Sequence, residues 1–206
     1  MIDEVVKIKP ENYVFEKDAV NLARLIINES NDLGIPINNP RLQRLLYLTQ
    51  SAYLLESKGR EGAFDDGLIQ AWAFGPVVPE VYSKFVLFGE ANISKIENLL
   101  IHLPNRELTF RKQKGSDTYF AIERASDLLT VYVPWVNPFT EIDKKIVDKV
   151  IYMFEDFTYY SLAEMSRKQD PWKNAWSKGS GTAIPNRSIY KYFRGLLDGK
   201  SNLTKN

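Results

Sequence analysis

Cysteine is absent from the 206 residues, and histidine occurs once, at His102. The first absence removes disulfides, thiol nucleophiles, Cys-ligated zinc and iron–sulfur clusters together. The second leaves no multi-histidine metal site, and a Ser-His-Asp arrangement would have to run through His102 alone. His102 stands between Ile101 and Leu103, so a structural role is expected of it. No Gly-x-Gly-x-x-Gly or Walker-type phosphate loop is present. Gly179-Ser180-Gly181-Thr182 lacks the preceding strand and following lysine of such a loop and reads as a flexible connection. Neither sign of charge dominates: 27 Lys and Arg against 26 Asp and Glu leave +1, too little to bind nucleic acid through an overall field. Long apolar runs are missing as well. Residues 1–6 carry acids in place of a signal-peptide core. Residues 128–133, among the longest apolar runs, fall far short of the ~20 that cross a bilayer. The chain is therefore expected in a bacterial-type cytoplasm, without a recognisable catalytic set, metal or cofactor.

What the chain does contain is 44% hydrophobic and 13% aromatic residues, enough for one globular domain. Residues 1–15 read as an N-terminal arm and 199–206 as a polar tail. Between them, Ala19, Leu22, Ala23, Ile26 and Ile27 recur at helical spacing and stop near Gly34. Asn38-Asn39-Pro40 supplies a cap and a first-turn proline. The helix behind it carries Leu42, Leu45, Leu46, Thr49, Ala52 and Tyr53 on one face. Residues 68–74 are expected to be extended, Gly75-Pro76 breaks them, and Pro79 opens a helix with Val81, Tyr82, Phe85 and Phe88 inward. Residues 98–133 read as an inserted β-hairpin, with strands at 107–111 and 117–122 around Lys114-Gly115-Ser116. Thr140 and Asp143 make an approximate capping box for a helix burying Ile142, Ile146, Val150, Met153 and Phe154. Ser161 to Glu164 repeats the box, Pro171-Trp172 starts a turn, and residues 188–197 form a last amphipathic helix. The fold expected is mainly α: a single helical domain, residues 16–198, with a small antiparallel hairpin.

Few constellations rise above structural roles. Asp65-Asp66 and Glu155-Asp156 are paired carboxylates, and Asp65, Asp66 and Glu80 would serve a divalent metal only if they converged in space; Asp65-Asp66-Gly67 is more simply a turn. Arg41 and Arg44 open the second helix, and Arg106, Arg111, Lys112 and Lys114 surround Phe110 and Tyr119. Such a mixture could line a nucleic-acid groove, but Glu107, Asp117 and Glu123 dilute it. The four tryptophans carry more information, because Trp serves both cores and binding hot spots. Trp72, among apolar neighbours, is expected in the core. For Trp172, beside Lys168, Gln169 and Lys173, a partly exposed role stands next to a core one, with Trp176 four residues on.

Several of these residues together resemble a known family. Pro40-Arg41-Leu42-Gln43-Arg44-Leu45-Leu46-Tyr47, then Tyr53-Leu54, Phe64-Asp65-Asp66, Ile69-Gln70-Ala71-Trp72 and Gly75-Pro76-Val77-Val78-Pro79-Glu80-Val81-Tyr82 are similar to the Panacea domain. This is the family of SocA-like and GepA-like phage-associated proteins. Tyr160-Ser161-Leu162-Ala163-Glu164 and Asp170-Pro171-Trp172-Lys173-Asn174-Ala175 resemble its closing helix and Pro-Trp element. The similarity covers about residues 18–195 and is densest at 40–82. It departs from the family at residues 166–170, where the polar stretch before Pro171 lacks a histidine. The resemblance implies an antitoxin-type protein that neutralises a toxin encoded nearby by binding it, or an adaptor that hands the toxin to a protease. It implies structural roles for Leu42, Gln43, Leu45, Leu46, Tyr47, Trp72, Gly75, Pro76, Val77, Pro79, Tyr82 and Pro171. The residues expected to touch the partner are Arg41, Arg44, Phe110, Arg111, Tyr119, Trp172 and Trp176. Binding of DNA by an operon regulator, through Arg41, Arg44 and the hairpin bases, is the alternative.

Overall fold

Helix α1 (Ala19–Asp32) starts where the Asp18 carboxylate accepts a hydrogen bond from the Asn21 N–H at 2.6 Å, satisfying one of the donors that a helix start leaves open. Helix α2 (Asn39–Glu56) starts the same way, with the Asn38 side chain accepting from the Arg41 N–H at 2.9 Å and Pro40 in the first turn. The second cap is the one read from Asn38-Asn39-Pro40, whereas the Asp18 cap comes from the structure. The coordinates are those of a computed structural model and describe residues 15–104, 122–125 and 128–199.

Those residues fall into two compact units, one within 17–95 and 139–199, the other within 15–16 and 96–138. In the larger unit α2 is the axis. Every residue from Arg41 to Ser51 is buried, and α2 packs against α1, α3 (Pro79–Phe85), α4 (Glu141–Met153), α5 (Tyr159–Arg167) and α7 (Asn186–Leu197). A helix surrounded in this way has no solvent face, and a one-sided apolar stripe no longer describes it. Leu42, Leu45 and Leu46 on α2 meet Leu22 and Ile26 from α1, Val147 and Ile151 from α4, Leu162 from α5 and Ile189 from α7, all 0% exposed. Each such side chain contributes about 1.5–3 kcal/mol through removal from water.

The short strands β1 (Gln70–Trp72) and β2 (Gly75–Val77) pair antiparallel, with Gln70 opposite Val77 and Trp72 opposite Gly75. The expected extended segment is thus one arm of a hairpin whose turn is Ala73-Phe74. Helix α6 (Asp170–Trp176) packs on β1, and the break at Pro171-Trp172 opens this short helix, which carries both Trp172 and Trp176. Residues 178–184 are not a loose loop. The Ala71 N–H donates to the Thr182 carbonyl at 2.9 Å, the Gly181 N–H to the Ala71 carbonyl at 2.8 Å and the Ile184 N–H to the Ile69 carbonyl at 2.7 Å.

Two helices differ from the periodicity reading. On α4 the buried residues are Asp143, Val147, Val150 and Ile151, while Ile142 and Met153 are each 69% exposed. The inner face is rotated because Asp143 turns inward: it completes the capping box with Thr140 and also accepts from Tyr53 and Lys17. Helix α5 is capped by Thr158, which places Ser161 inside the helix.

The smaller unit contains a three-stranded antiparallel sheet in the order β3 (Asn98–Pro104), β5 (Leu128–Pro134), β4 (Ile122–Ala125). Asn98 stands opposite Pro134 and Ile122 opposite Val131. Ile122, expected at the end of a hairpin arm, begins β4. The arm at 107–111 and the rest of 117–122, with Phe110, Arg111 and Tyr119, lie outside the described residues, as do the greater part of the arm at 1–15 and all of the tail after 199. The chain is mainly α with minor antiparallel β, as its composition and periodicity indicate.

Candidate partner-binding surface

Four polar side chains of the motif on α2, and Gln50 just beyond it, must be satisfied on a buried helix, and each reaches a different part of the larger unit. Arg41 donates to the carbonyls of Phe157 at 2.6 Å, Phe154 at 2.9 Å and Glu155 at 3.1 Å. These oxygens lie at and just past the end of α4, where a helix leaves its last acceptors open and its dipole is negative. Gln43 accepts from the Val78 N–H and donates to Asn39, both at 3.0 Å. Arg44 donates to the carbonyls of Phe74 and Pro76. Tyr47, 1% exposed, donates its hydroxyl to Gln169 Oε1 at 2.7 Å; burial pushes its phenol pKa well above the usual range. Gln50 donates to the Phe64 carbonyl at 3.0 Å and to Asn186 Oδ1 at 2.9 Å, and accepts from the Ala63 N–H at 2.7 Å.

Arg41 and Arg44 were expected to touch a partner, yet the structure buries them at 9% and 4% exposed. Their guanidiniums satisfy main-chain oxygens, so neither presents a free fork to a protein or to a nucleic-acid backbone. Burial lowers the pKa of Arg41. For Arg44, burial first and the charge of Arg167 second bring it to about 10, leaving it protonated at neutral pH.

The tryptophans also exchange places. Trp172 is 8% exposed and donates its indole N–H to the Trp72 carbonyl at 3.1 Å. Trp72 is half-buried, with its ring 5.2 Å from Tyr82 and its N–H on Gln70 Oε1 at 3.1 Å. Trp176, also half-buried, stacks on Trp172 with centroids 5.3 Å apart and planes 12° from parallel. It presents a rigid aromatic surface held in place from beneath, the kind of group that anchors interfaces at little entropic cost.

The remaining motif residues are structural in placement. Leu42, Leu45, Leu46 and Val77 are core, Pro76 is buried in β2, Pro79 opens α3 and Pro171 opens α6. Gly75 has φ +118°, and a Cβ there would stand 2.9 Å from Ser166 Oγ and 3.0 Å from Arg44 Cζ. Glycine is required on both counts. Beside it, Phe74 is 77% exposed. Sequence reading missed this residue by including it in an apolar run, although its position directly before Gly-Pro marks a turn.

Of the carboxylate pairs, Asp66 accepts from the Asn186 N–H at 2.6 Å and thereby caps α7. Among the described residues no group of three or more His, Asp or Glu side chains is placed to hold a metal ion. An open cleft of about 620 Å³ includes Asp65, Asp66, Tyr53, Lys17 and Asp143 in its lining. There Lys17 meets Asp143 at 2.6 Å and Tyr53 donates to it at 2.9 Å. Burial alone would raise the Asp143 pKa, but the bonds from Lys17, Thr140 and Tyr53 outweigh it and hold the carboxyl at about 2. Among the described residues no helix is long and apolar enough to cross a membrane.

Comparison with known proteins gives two matches. A family model, Antitoxin SocA-like, Panacea domain, matches residues 42–173, from α2 into α6. Antitoxin SocA of Caulobacter vibrioides (strain NA1000 / CB15N) is 43% identical over 72 residues, which is 35% of this chain and 37% of that protein. The matched stretch thus spans just over a third of the relative's length. No solved structure matches.

Proposed function

The chain belongs to the SocA-like Panacea-domain family, and from that premise we propose that it is an antitoxin-type protein that neutralises a partner toxin by direct protein–protein binding. The family match carries this reading. The fold supports it in one respect: the polar side chains of the α2 motif are engaged in holding elements together, so the motif acts as scaffold and the aromatic groups outside it are left to meet a partner. Trp176, braced by Trp172, and the segment containing Phe110, Arg111 and Tyr119 supply the partner contacts. Inhibition is steric, through an interface of ordinary size that covers the toxin's working surface. Handing the toxin to a protease is the related possibility within the same reading, and the place of action is the cytoplasm. The protein performs no bond-making chemistry of its own and requires no cofactor.

Co-expression with the small toxic product of an adjacent reading frame tests this. Suppression of lethality, together with recovery of the two proteins as one complex, is the expected result. A toxin that stays lethal and never co-purifies overturns the proposal. Steric inhibition leaves the toxin's half-life unchanged, whereas protease delivery shortens it.

A further inference from the structure

Arg44 is buried without a counter-charge. Its terminal nitrogens hold the Phe74 and Pro76 carbonyls, its Nε is buried with no partner, and it makes no ion pair among the described residues. The charge that bears on it most is another cation, Arg167. Arg167, at the end of α5, is half-buried, and its Nε is likewise enclosed and unpartnered. It too has no ion pair among the described residues. Glu164, one turn earlier, feels the field of Arg167, but its carboxylate is engaged by Lys168 at 2.8 Å. Arg44 stands beside the β1–β2 turn, and Ser166, the residue before Arg167, meets Gly75 there too closely for any side chain.

One desolvated cation without a counter-ion is costly, and a second of the same sign nearby raises that cost. Binding an anion relieves both. A single reachable guanidinium beside an exposed acid such as Glu164 does not suit a polyanion, which needs a row of cations. It suits one carboxylate, which a guanidinium takes in a fork. Phe74, 77% exposed on the same turn, supplies an apolar flank.

We infer that Arg167, reinforced by the fixed charge of buried Arg44 nearby, seats an aspartate or glutamate side chain of a partner protein, with Phe74 packing against an apolar residue next to that acid. This rests on the protein-binding reading above and names a surface for it. Arg167 is the contacting group, and Arg44 acts through its field.

The full chain is titrated with short synthetic peptides carrying Glu or Asp beside Leu, Phe or Trp. Each peptide is compared with a twin in which Gln or Asn replaces the acid, and fluorescence anisotropy gives the affinity. Acidic peptides are expected to bind at least about tenfold more tightly than their twins. Arg167→Gln should abolish that preference, and Phe74→Ala should weaken binding of both. Circular dichroism melting confirms that each variant is folded. Arg167→Lys, which keeps charge but loses the fork, replaces R167Q if the latter unfolds and should reduce the preference several-fold. Equal affinity for acid and amide, a preference that survives these Arg167 variants, no binding by any peptide, or Arg167-dependent binding of duplex DNA in their place each overturns the inference. A chain whose R167Q variant still suppresses the toxin fully keeps the antitoxin reading and loses this site. A chain that suppresses no toxin yet takes acidic peptides through Arg167 does the reverse.

Discussion

Trp172 donates its indole N–H to the main-chain oxygen of Trp72 at 3.1 Å, joining residues 100 positions apart. The bond fastens α6 to β1, and the buried ring fills the space between them. Trp172→Ala should cost about 3–5 kcal/mol, from lost burial and the cavity left behind. Trp172→Phe, which keeps much of the ring volume but no N–H, should cost about 1–2 kcal/mol. Trp72→Ala, at a half-buried position, should cost less than Trp172→Ala. Urea denaturation midpoints of the three variants provide the ranking, and equal losses at Trp72 and Trp172 contradict it.

Tyr47 and Gln169 form a closed pair, the first 1% and the second 5% exposed. Tyr47→Phe leaves the Gln169 carbonyl oxygen without its donor in a place where water cannot replace it. The expected loss is about 1–3 kcal/mol, read as a lower denaturant midpoint with unchanged slope.

Asp143 gives the fold an acid limit. Its folded pKa of about 2 lies below the ordinary value of 3.8, so the unfolded chain binds the proton more readily between those values. The stabilisation is fully present above about pH 4 and drains away as the pH falls toward 2. Asp143→Asn should therefore be less stable than wild type by about 1–3 kcal/mol at neutral pH, with the gap narrowing across that acid window. A gap that stays constant from pH 6 to about 2 contradicts the assignment.

Trp176 separates binding from folding. Trp176→Ala removes a half-buried ring but leaves Trp172 seated, so a stability change within about 1–2 kcal/mol is expected. Affinity for the toxin should drop by at least about tenfold, since truncating an aromatic anchor commonly costs more than 1 kcal/mol of binding. Calorimetric titration of the complex decides it.

Local chemistry made α1 and α2 readable. The spacing of Ala19, Leu22, Ala23, Ile26 and Ile27 announces α1, and Asn38 with Pro40 in the first turn announces α2. The α4 face was misjudged because periodicity weighs only apolar residues, and Asp143 is drawn inward by three partners, two of them distant in sequence. The same blindness explains Arg41 and Arg44. A charged side chain at a helix start reads as surface, and its burial becomes visible only once the carbonyls of Phe154, Glu155, Phe157, Phe74 and Pro76 are seen to converge on it. The motif residues lie in and around the core of the larger unit, whereas Phe74 and Arg167 carry no signal beyond their place beside Gly75 and Ser166.

The Gln50 amide waits for Asn186, 136 residues further along the chain. Other partners of the α2 polar side chains, at Ala63, Phe64, Phe74, Pro76 and Val78, are made soon after the helix, whereas this acceptor of the Gln50 amide is made 136 residues later. Until α7 is made, the face of α2 that it covers stands open.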